Sequence, residues 1–289
     1  MKYRIGDTVI SIDVEEQYMH ANFKPFVCEQ DEAPQLTVEL VDEPDTMMNL
    51  QMQMMVGQIV LMEAEDVGVF EGAMGIDLVY PKHTQVTSIA IDKGYRSARV
   101  YVVRDAAGKW QGELYESLKD VVYLALEQNG RFVLNASSMM VDGRGVLFAA
   151  DPDAEFAKLC VEKDIGLLIN DAANVIGIYK ERIYLYGTPW CSPDSFQAGR
   201  TPLGGIVFMK KSDKKEVVGL PNDKRQLLMI VHCKSPFWRE GLLDQCLDTI
   251  QRVEPSVWIR QLKSQADAEA VEILRPELAK IEQEESVQY

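Results

Sequence analysis

Apolar residues keep two different rhythms along this chain, and the change falls near residue 110. Before it, alternation with a period of two dominates, the spacing of strands that turn one face to a core. Tyr3–Val14 (YRIGDTVISIDV) alternates around Gly6-Asp7 and reads as a β-hairpin. Residues 34–42 and 56–62 are further strand candidates, and 86–91 with 97–103 read as a strand pair. After the change, Tyr115–Gln128 sets Leu118, Val121, Val122, Ala125 and Leu126 at helical spacing, and Asn129-Gly130 stops that helix.

From there strands and helices interleave. Residues 131–141 read as one strand, Asp142-Gly143-Arg144-Gly145 as a tight turn, and 146–150 as the next strand. A short helix suits 152–163, a buried strand 166–170, a hairpin 173–179 with 183–187, and another strand 205–210. Helices fit 223–231, 239–252 and 267–281, with a strand over 257–262. The fold class expected is mixed α/β: a β-rich region over 1–110, then an α/β domain over 111–289 with a mixed sheet and flanking helices.

With 289 residues, 47% of them hydrophobic, the chain can bury a sizeable core. No apolar run approaches the roughly 18–20 residues that span a bilayer. The start, Met1–Asp7, has no apolar segment of the secretory type. Five cysteines, at 28, 160, 191, 233 and 246, form no C-x-x-C pair, so a reduced, cytoplasmic setting is the expectation.

Charge is distributed unevenly. Residues 1–80 carry three basic and 16 acidic side chains, a net of −13, out of −15 for the whole chain. Such acidity repels phosphate backbones, which argues against nucleic acid and anionic membranes as partners. It leaves a solvated face, or a docking surface for a basic protein partner. The same region holds Met47, Met48, Met52, Met54, Met55 and Met62. Thioether sulfur suits copper(I), but no Cys or His lies within the cluster, so core or oligomer-interface packing is the reading, and no cofactor is expected there.

Other chemistries find little support. The three histidines, His20, His83 and His232, have no metal partner in sequence, and the adjacent side chains of His232 and Cys233 diverge in any regular element. Cys191 has no nearby His to activate it, and neither G-x-S-x-G nor G-x-G-x-x-G occurs.

Four segments, in order, carry a resemblance: Leu134-Asn135-Ala136-Ser137-Ser138 with Asp142–Phe148, then Leu168-Ile169-Asn170-Asp171, then Tyr184-Leu185-Tyr186-Gly187-Thr188-Pro189-Trp190, then Pro202–Phe208. Together, over about 115–275, they resemble the HPr serine kinase/phosphorylase-like proteins, especially the shorter kinases of peptide-modification systems. The resemblance implies a P-loop-containing fold shared with phosphoenolpyruvate carboxykinases. It also implies an active site that this sequence does not reproduce. The family's His position holds Asn135. Its Gly-Lys-Ser/Thr loop, which wraps phosphates in backbone N–H groups and holds magnesium, corresponds here to Ala149-Ala150-Asp151-Pro152-Asp153-Ala154-Glu155-Phe156-Ala157-Lys158. No glycine remains. The lysine position falls at or near Phe156 and the hydroxyl position at Ala157, while Lys158 follows about two residues late and on a different helix face.

Asp151-Pro152 instead reads as an N-cap with Pro at the first helical position, and Asp153 and Glu155 complement the helix dipole. Of the family's paired Asp, Asp171 keeps the first and Ala172 replaces the second. Asp171 is left as a metal ligand or as a strand-end cap, and Trp190 with Pro189 as a packed corner. The expectation is a catalytically degenerate, regulatory module that binds a protein or peptide and needs no ATP or magnesium. The competing expectation is an ATP-dependent serine or peptide kinase with relocated groups, Lys158 and Asp171 foremost. A third is assembly through the Met-rich N-terminal region.

Overall fold

A computed structural model describes residues 1–42, 59–72, 75–149, 156–192, 198–238 and 240–281. Five of the six clustered methionines lie outside these residues, as do Asp151, Asp153 and Glu155. The expected capping by Asp151 therefore falls outside the described residues. The chain divides into two compact units, Met1–Asn129 with Pro236–Leu243, and Gly130–Ser235 with Asp244–Tyr289. The boundary expected at 110/111 thus lies at 129/130, and the first long helix belongs with the N-terminal sheet.

The first unit is built on eight strands: β1 (Lys2–Ile5), β2 (Thr8–Ile12), β3 (Leu36–Asp42), β4 (Ile59–Glu63), β5 (Gly68–Glu71), β6 (Gly75–Val79), β7 (Val86–Asp92) and β8 (Ser97–Val102). They lie in the order β1-β2-β3-β8-β7-β6-β5-β4. Pairing is antiparallel except for β2–β3 and β3–β8, so the sheet is mixed. The expected hairpin turns at Gly6-Asp7, both at positive φ (57° and 60°), as a tight two-residue loop requires. Helix α1 (Lys109–Gln128) buries Trp110, Leu114, Leu118, Val121, Val122 and Ala125 along one stripe.

Glu113 ties α1 to the sheet. Its carboxylate accepts from the backbone N–H groups of Thr84 (3.1 Å), Gln85 (2.6 Å) and Val86 (2.8 Å), where the chain enters β7. Burial opposes ionisation here, but the N–H donors of Val86, Thr84 and Gln85 together outweigh it, and the carboxyl lies below its ordinary 4.5. Glu113→Ala strands these donors and is expected to cost about 2–3 kcal/mol, and Glu113→Gln about half that. A depressed folded value means the stabilisation is complete above the unfolded value and is lost as pH falls through the folded one. The deficit of Glu113→Gln in urea unfolding should therefore hold from pH 7 to about 5 and shrink at lower pH. A pH-independent deficit would contradict an ionised anchor.

The second unit contains β9 (Arg131–Asn135), β10 (Ser137–Val141), β11 (Arg144–Ala149), β12 (Leu167–Asn170), β13 (Ala173–Tyr179), β14 (Arg182–Tyr186), β15 (Arg200–Lys210), β16 (Glu216–Gly219) and β17 (Trp258–Lys263). Its helices are α2 (Phe156–Glu162), α3 (Asn222–His232), α5 (Ala268–Leu278) and, from Asp244 onward, α4 (Glu240–Val253). The long strand β15 joins two sets of strands. Arg200–Pro202 pairs antiparallel with β14, while Gly205–Lys210 runs parallel between β11 and β17. The central strands are buried on both faces, which is why VLFA and GIVF read as unbroken apolar runs. Leu147, Ile206, Phe208 and Ile259 pack with Met229 of α3 and Cys246 and Ile250 of α4. Phe148 and Val207 pack with Phe156, Ala157 and Cys160 of α2 and Val271 and Leu274 of α5.

Two sequence expectations change. Residues 131–141 are two strands, β9 pairing with β13 and β10 with β11 and β12, because the chain passes from one set of strands to the other at Ala136. The strand at 166–170 is an edge strand with Leu167 63% exposed, although Ile169 and Asn170 are buried. The fold class is mixed α/β with mixed sheets. Among the described residues no helix is long and apolar enough to cross a membrane.

Candidate functional site

Besides the passage within β15, the chain crosses between strand sets in the second unit at Ala136 and at Asp171-Ala172. The crossings touch through one backbone bond, Ala136 N–H to Ala172 carbonyl, 2.9 Å. A crossing takes backbone groups out of ladder pairing, and buried groups must find other partners. Four fully buried polar side chains supply them. Asn174 Nδ2 donates to the Ala136 carbonyl (2.6 Å), and Ser138 Oγ donates to Asn174 Oδ1 (2.6 Å). Asn170 Oδ1 accepts from Ala172 N–H (2.9 Å), and its Nδ2 donates to the Thr188 carbonyl (3.1 Å). Thr188 Oγ1 donates to the Ala173 carbonyl, 2.8 Å away.

This network carries Asp171 at its edge. Asp171 Oδ1 accepts from Ser192 N–H (2.9 Å), while Oδ2 accepts from Ser192 Oγ and lies 2.9 Å from Lys158 Nζ. The Asp171 side chain is 12% exposed and that of Lys158 34%. Three elements thus converge: the first turn of α2, the turn after β12, and the Gly187–Ser192 turn after β14. Trp190 is buried, as a packed corner requires.

The residues singled out in the sequence divide sharply. Lys158 and Asp171 meet, so the lysine that follows the loop late still reaches the surviving aspartate. Phe156 and Ala157 turn into the core, 2% and 0% exposed. Phe156 sets its ring edge-on to Phe148 at 5.3 Å. Asn135 ends β9 opposite Ala173 and is half-buried. Ser138, Asn174 and Ser192 were not singled out for a role. The legible signal for the first two was a polar residue inside an otherwise apolar strand.

Chemically, Asp171 is engaged as an acceptor at both oxygens. To serve as a base or a ligand it must first release Lys158 or Ser192. Among the described residues no three His, Cys, Asp or Glu side chains gather to hold a metal ion. Each histidine stacks on an aromatic ring instead: His20 on Tyr115, His83 on Tyr80, and His232 on Phe208.

No family model matches the sequence. No curated protein matches it either. Among solved structures the chain is similar to the Hpr(Ser) kinase/phosphatase from Coxiella burnetii, at 11% identity and a TM-score of 0.29, over 54% of this chain and 96% of that one. That likeness is too slight to carry an activity across.

Proposed function

We propose that this chain is a binding or regulatory module for a protein or peptide partner, in a peptide-modification setting, and not a phosphotransferase. One observation carries the reading. The side chains at the positions that the sequence resemblance assigns to the phosphate-binding lysine and the magnesium-binding hydroxyl, Phe156 and Ala157, belong to the hydrophobic core. They pack under β11 and have no path to a phosphate oxygen without unpacking α2. The loop before them, which contains no glycine and three carboxylates, adds repulsion toward a triphosphate. The acidic N-terminal region suits a basic partner, whose binding should weaken with salt.

Titration calorimetry with magnesium-ATP tests this. Loss of two charge-assisted contacts weakens binding by about two to four orders of magnitude. The expected result is no saturable heat at sub-millimolar ATP. A dissociation constant below about 50 μM would overturn the reading.

A second reading has one observation in its favour. Lys158 and Asp171 form a 2.9 Å pair beside a serine hydroxyl, which is where a kinase with relocated groups would keep its cation and its acid. Phosphate transfer to a peptide, abolished by Asp171→Asn, would favour that reading over the first.

A further inference from the structure

Two thiols separated by thirteen residues in sequence meet in the second unit. Cys233 follows the last turn of α3 and Cys246 lies on α4, with their Sγ atoms 3.6 Å apart. Neither is in a disulfide; Cys246 is buried and Cys233 is partly exposed. Cys233 is held in place on both sides. Its backbone bridges to Leu134 of β9, and the next residue, Lys234, donates its N–H to the Val133 carbonyl at 2.8 Å. Ser235 N–H donates to the Cys233 sulfur at 3.4 Å. Hydrogen bonding with Cys246, against the opposing effect of burial and aided by Ser235, holds the Cys233 thiol below its ordinary range.

The chain between these cysteines makes an excursion. Residues up to Ser235 and from Asp244 onward belong to the second unit, while Pro236–Leu243 belongs to the first. Cys233 and Cys246 therefore stand three positions outside each end of that excursion. Closing the sulfurs from 3.6 Å to the roughly 2.05 Å of a covalent bond needs about 1.5 Å of movement, within the range of side-chain rotation.

We propose that Cys233 and Cys246 are a redox-modifiable dithiol, oxidised by hydrogen peroxide to an intramolecular disulfide that ties the two ends of the excursion together. Cys233, the less buried of the two, attacks as its thiolate. A sulfur–oxygen bond forms, the O–O bond breaks, and the departing hydroxide takes up the thiol's proton as water. Cys246 then attacks the sulfenic sulfur. The S–S bond forms, the S–O bond breaks, and the second water leaves with the Cys246 proton. Two thiols lose two electrons and two protons, and one peroxide becomes two waters. The bond closes a loop of about 14 residues, which removes freedom from the unfolded chain and raises the melting temperature by roughly 5–10 °C.

The test uses the full-length protein, reduced, desalted and treated with a few equivalents of hydrogen peroxide. Trypsin digestion without reductant is expected to give peptide 226–234 linked to peptide 240–252, two hydrogens lighter than the sum of the two. The oxidised chain should run as a monomer, melt at the higher temperature, and return to its starting value with dithiothreitol. A Cys28→Ser/Cys191→Ser variant should behave as the wild type. In Cys246→Ser, dimedone should trap a sulfenic acid at Cys233. Linkage through Cys28 or Cys191, an intermolecular dimer, over-oxidation of Cys233 without linkage, or a linked chain with unchanged melting would overturn the proposal. The peptide map is read on the wild-type chain, so it stands even if a variant folds poorly.

Discussion

Replacing Asn174 with alanine is expected to destabilise the protein by about 3–5 kcal/mol, read from chemical unfolding followed by tryptophan fluorescence. The side chain is fully buried and makes two 2.6 Å bonds, accepting from Ser138 Oγ and donating to the Ala136 carbonyl. Its removal takes the short bond from both partners, leaving the Ala136 carbonyl without this donor and Ser138 Oγ with only the longer 3.3 Å contact to the Asn170 carbonyl, at about 1–3 kcal/mol each. It also leaves a small cavity between strands that cannot close over it. Ser138→Ala alone should cost less, about 1–3 kcal/mol, because it strands Asn174 Oδ1 and otherwise loses only a 3.3 Å contact to the Asn170 carbonyl. The double variant should cost less than the two single losses added together, since each mutation breaks the same bond. Strict additivity would mean that Ser138 and Asn174 act independently and that the crossing is held by something else. The network rigidifies the floor on which Asp171 stands, through the backbone of Ala172 and Ala173. The Asn174→Ala variant should therefore also speed hydrogen exchange at Ser192, whose N–H is held by Asp171.

Gly166→Ala should cost a similar amount, about 3–5 kcal/mol, for a different reason. Gly166 leads from α2 into β12 at φ +78°, and a Cβ built there would lie 2.2 Å from the Met140 carbonyl oxygen. The left-handed conformation alone costs an L-residue about 1–2 kcal/mol. The close approach adds to it, because the obstacle is backbone and sits beside the β10–β12 ladder. Gly143 supplies the control. It has nearly the same φ, +81°, with nothing within 4 Å of its Cβ position. Gly143→Ala should therefore cost only about 1–2 kcal/mol. The difference between the two variants measures the contact and not the dihedral. If the two cost the same, β12 can shift away from β10, and the edge of this sheet is looser than the geometry indicates. The Lys158–Asp171–Ser192 cluster would feel that shift, since β12 ends at Asn170 and delivers Asp171.

Much of the architecture could be read from the order of residues, because its cause is local. The hairpin at Gly6-Asp7, the strand pair β7–β8, the hairpin β13–β14 and the helices α1, α3, α4 and α5 each announce themselves by period and by turn residues, which act over a few positions. The loss of loop glycines was equally plain, since a phosphate loop is a property of consecutive residues. Short strands such as β5, β6 and β16 are not legible in the sequence. Four or five residues with little alternation carry no period, and only the neighbouring strand gives them their hydrogen bonds.

What the tertiary structure alone decided are the meetings between distant residues. Ala136 divides one apolar run into two strands because β13 and β11 claim its two halves, and no residue within the run says so. The buried roles of Ser138 and Asn174 follow from that division, since a crossing creates the unpaired backbone groups they satisfy. Lys158, two residues late by sequence, reaches Asp171 because the turn after β12 comes under the first turn of α2. Helix α1 sides with the first unit because its anchor, Glu113, binds backbone donors about 28 residues earlier. Cys233 and Cys246, which match no spacing rule, touch because α4 packs its buried face beside the end of α3. Composition, period and turn chemistry determine which elements exist. Burial and the need to pair every buried polar group determine which of their side chains face one another.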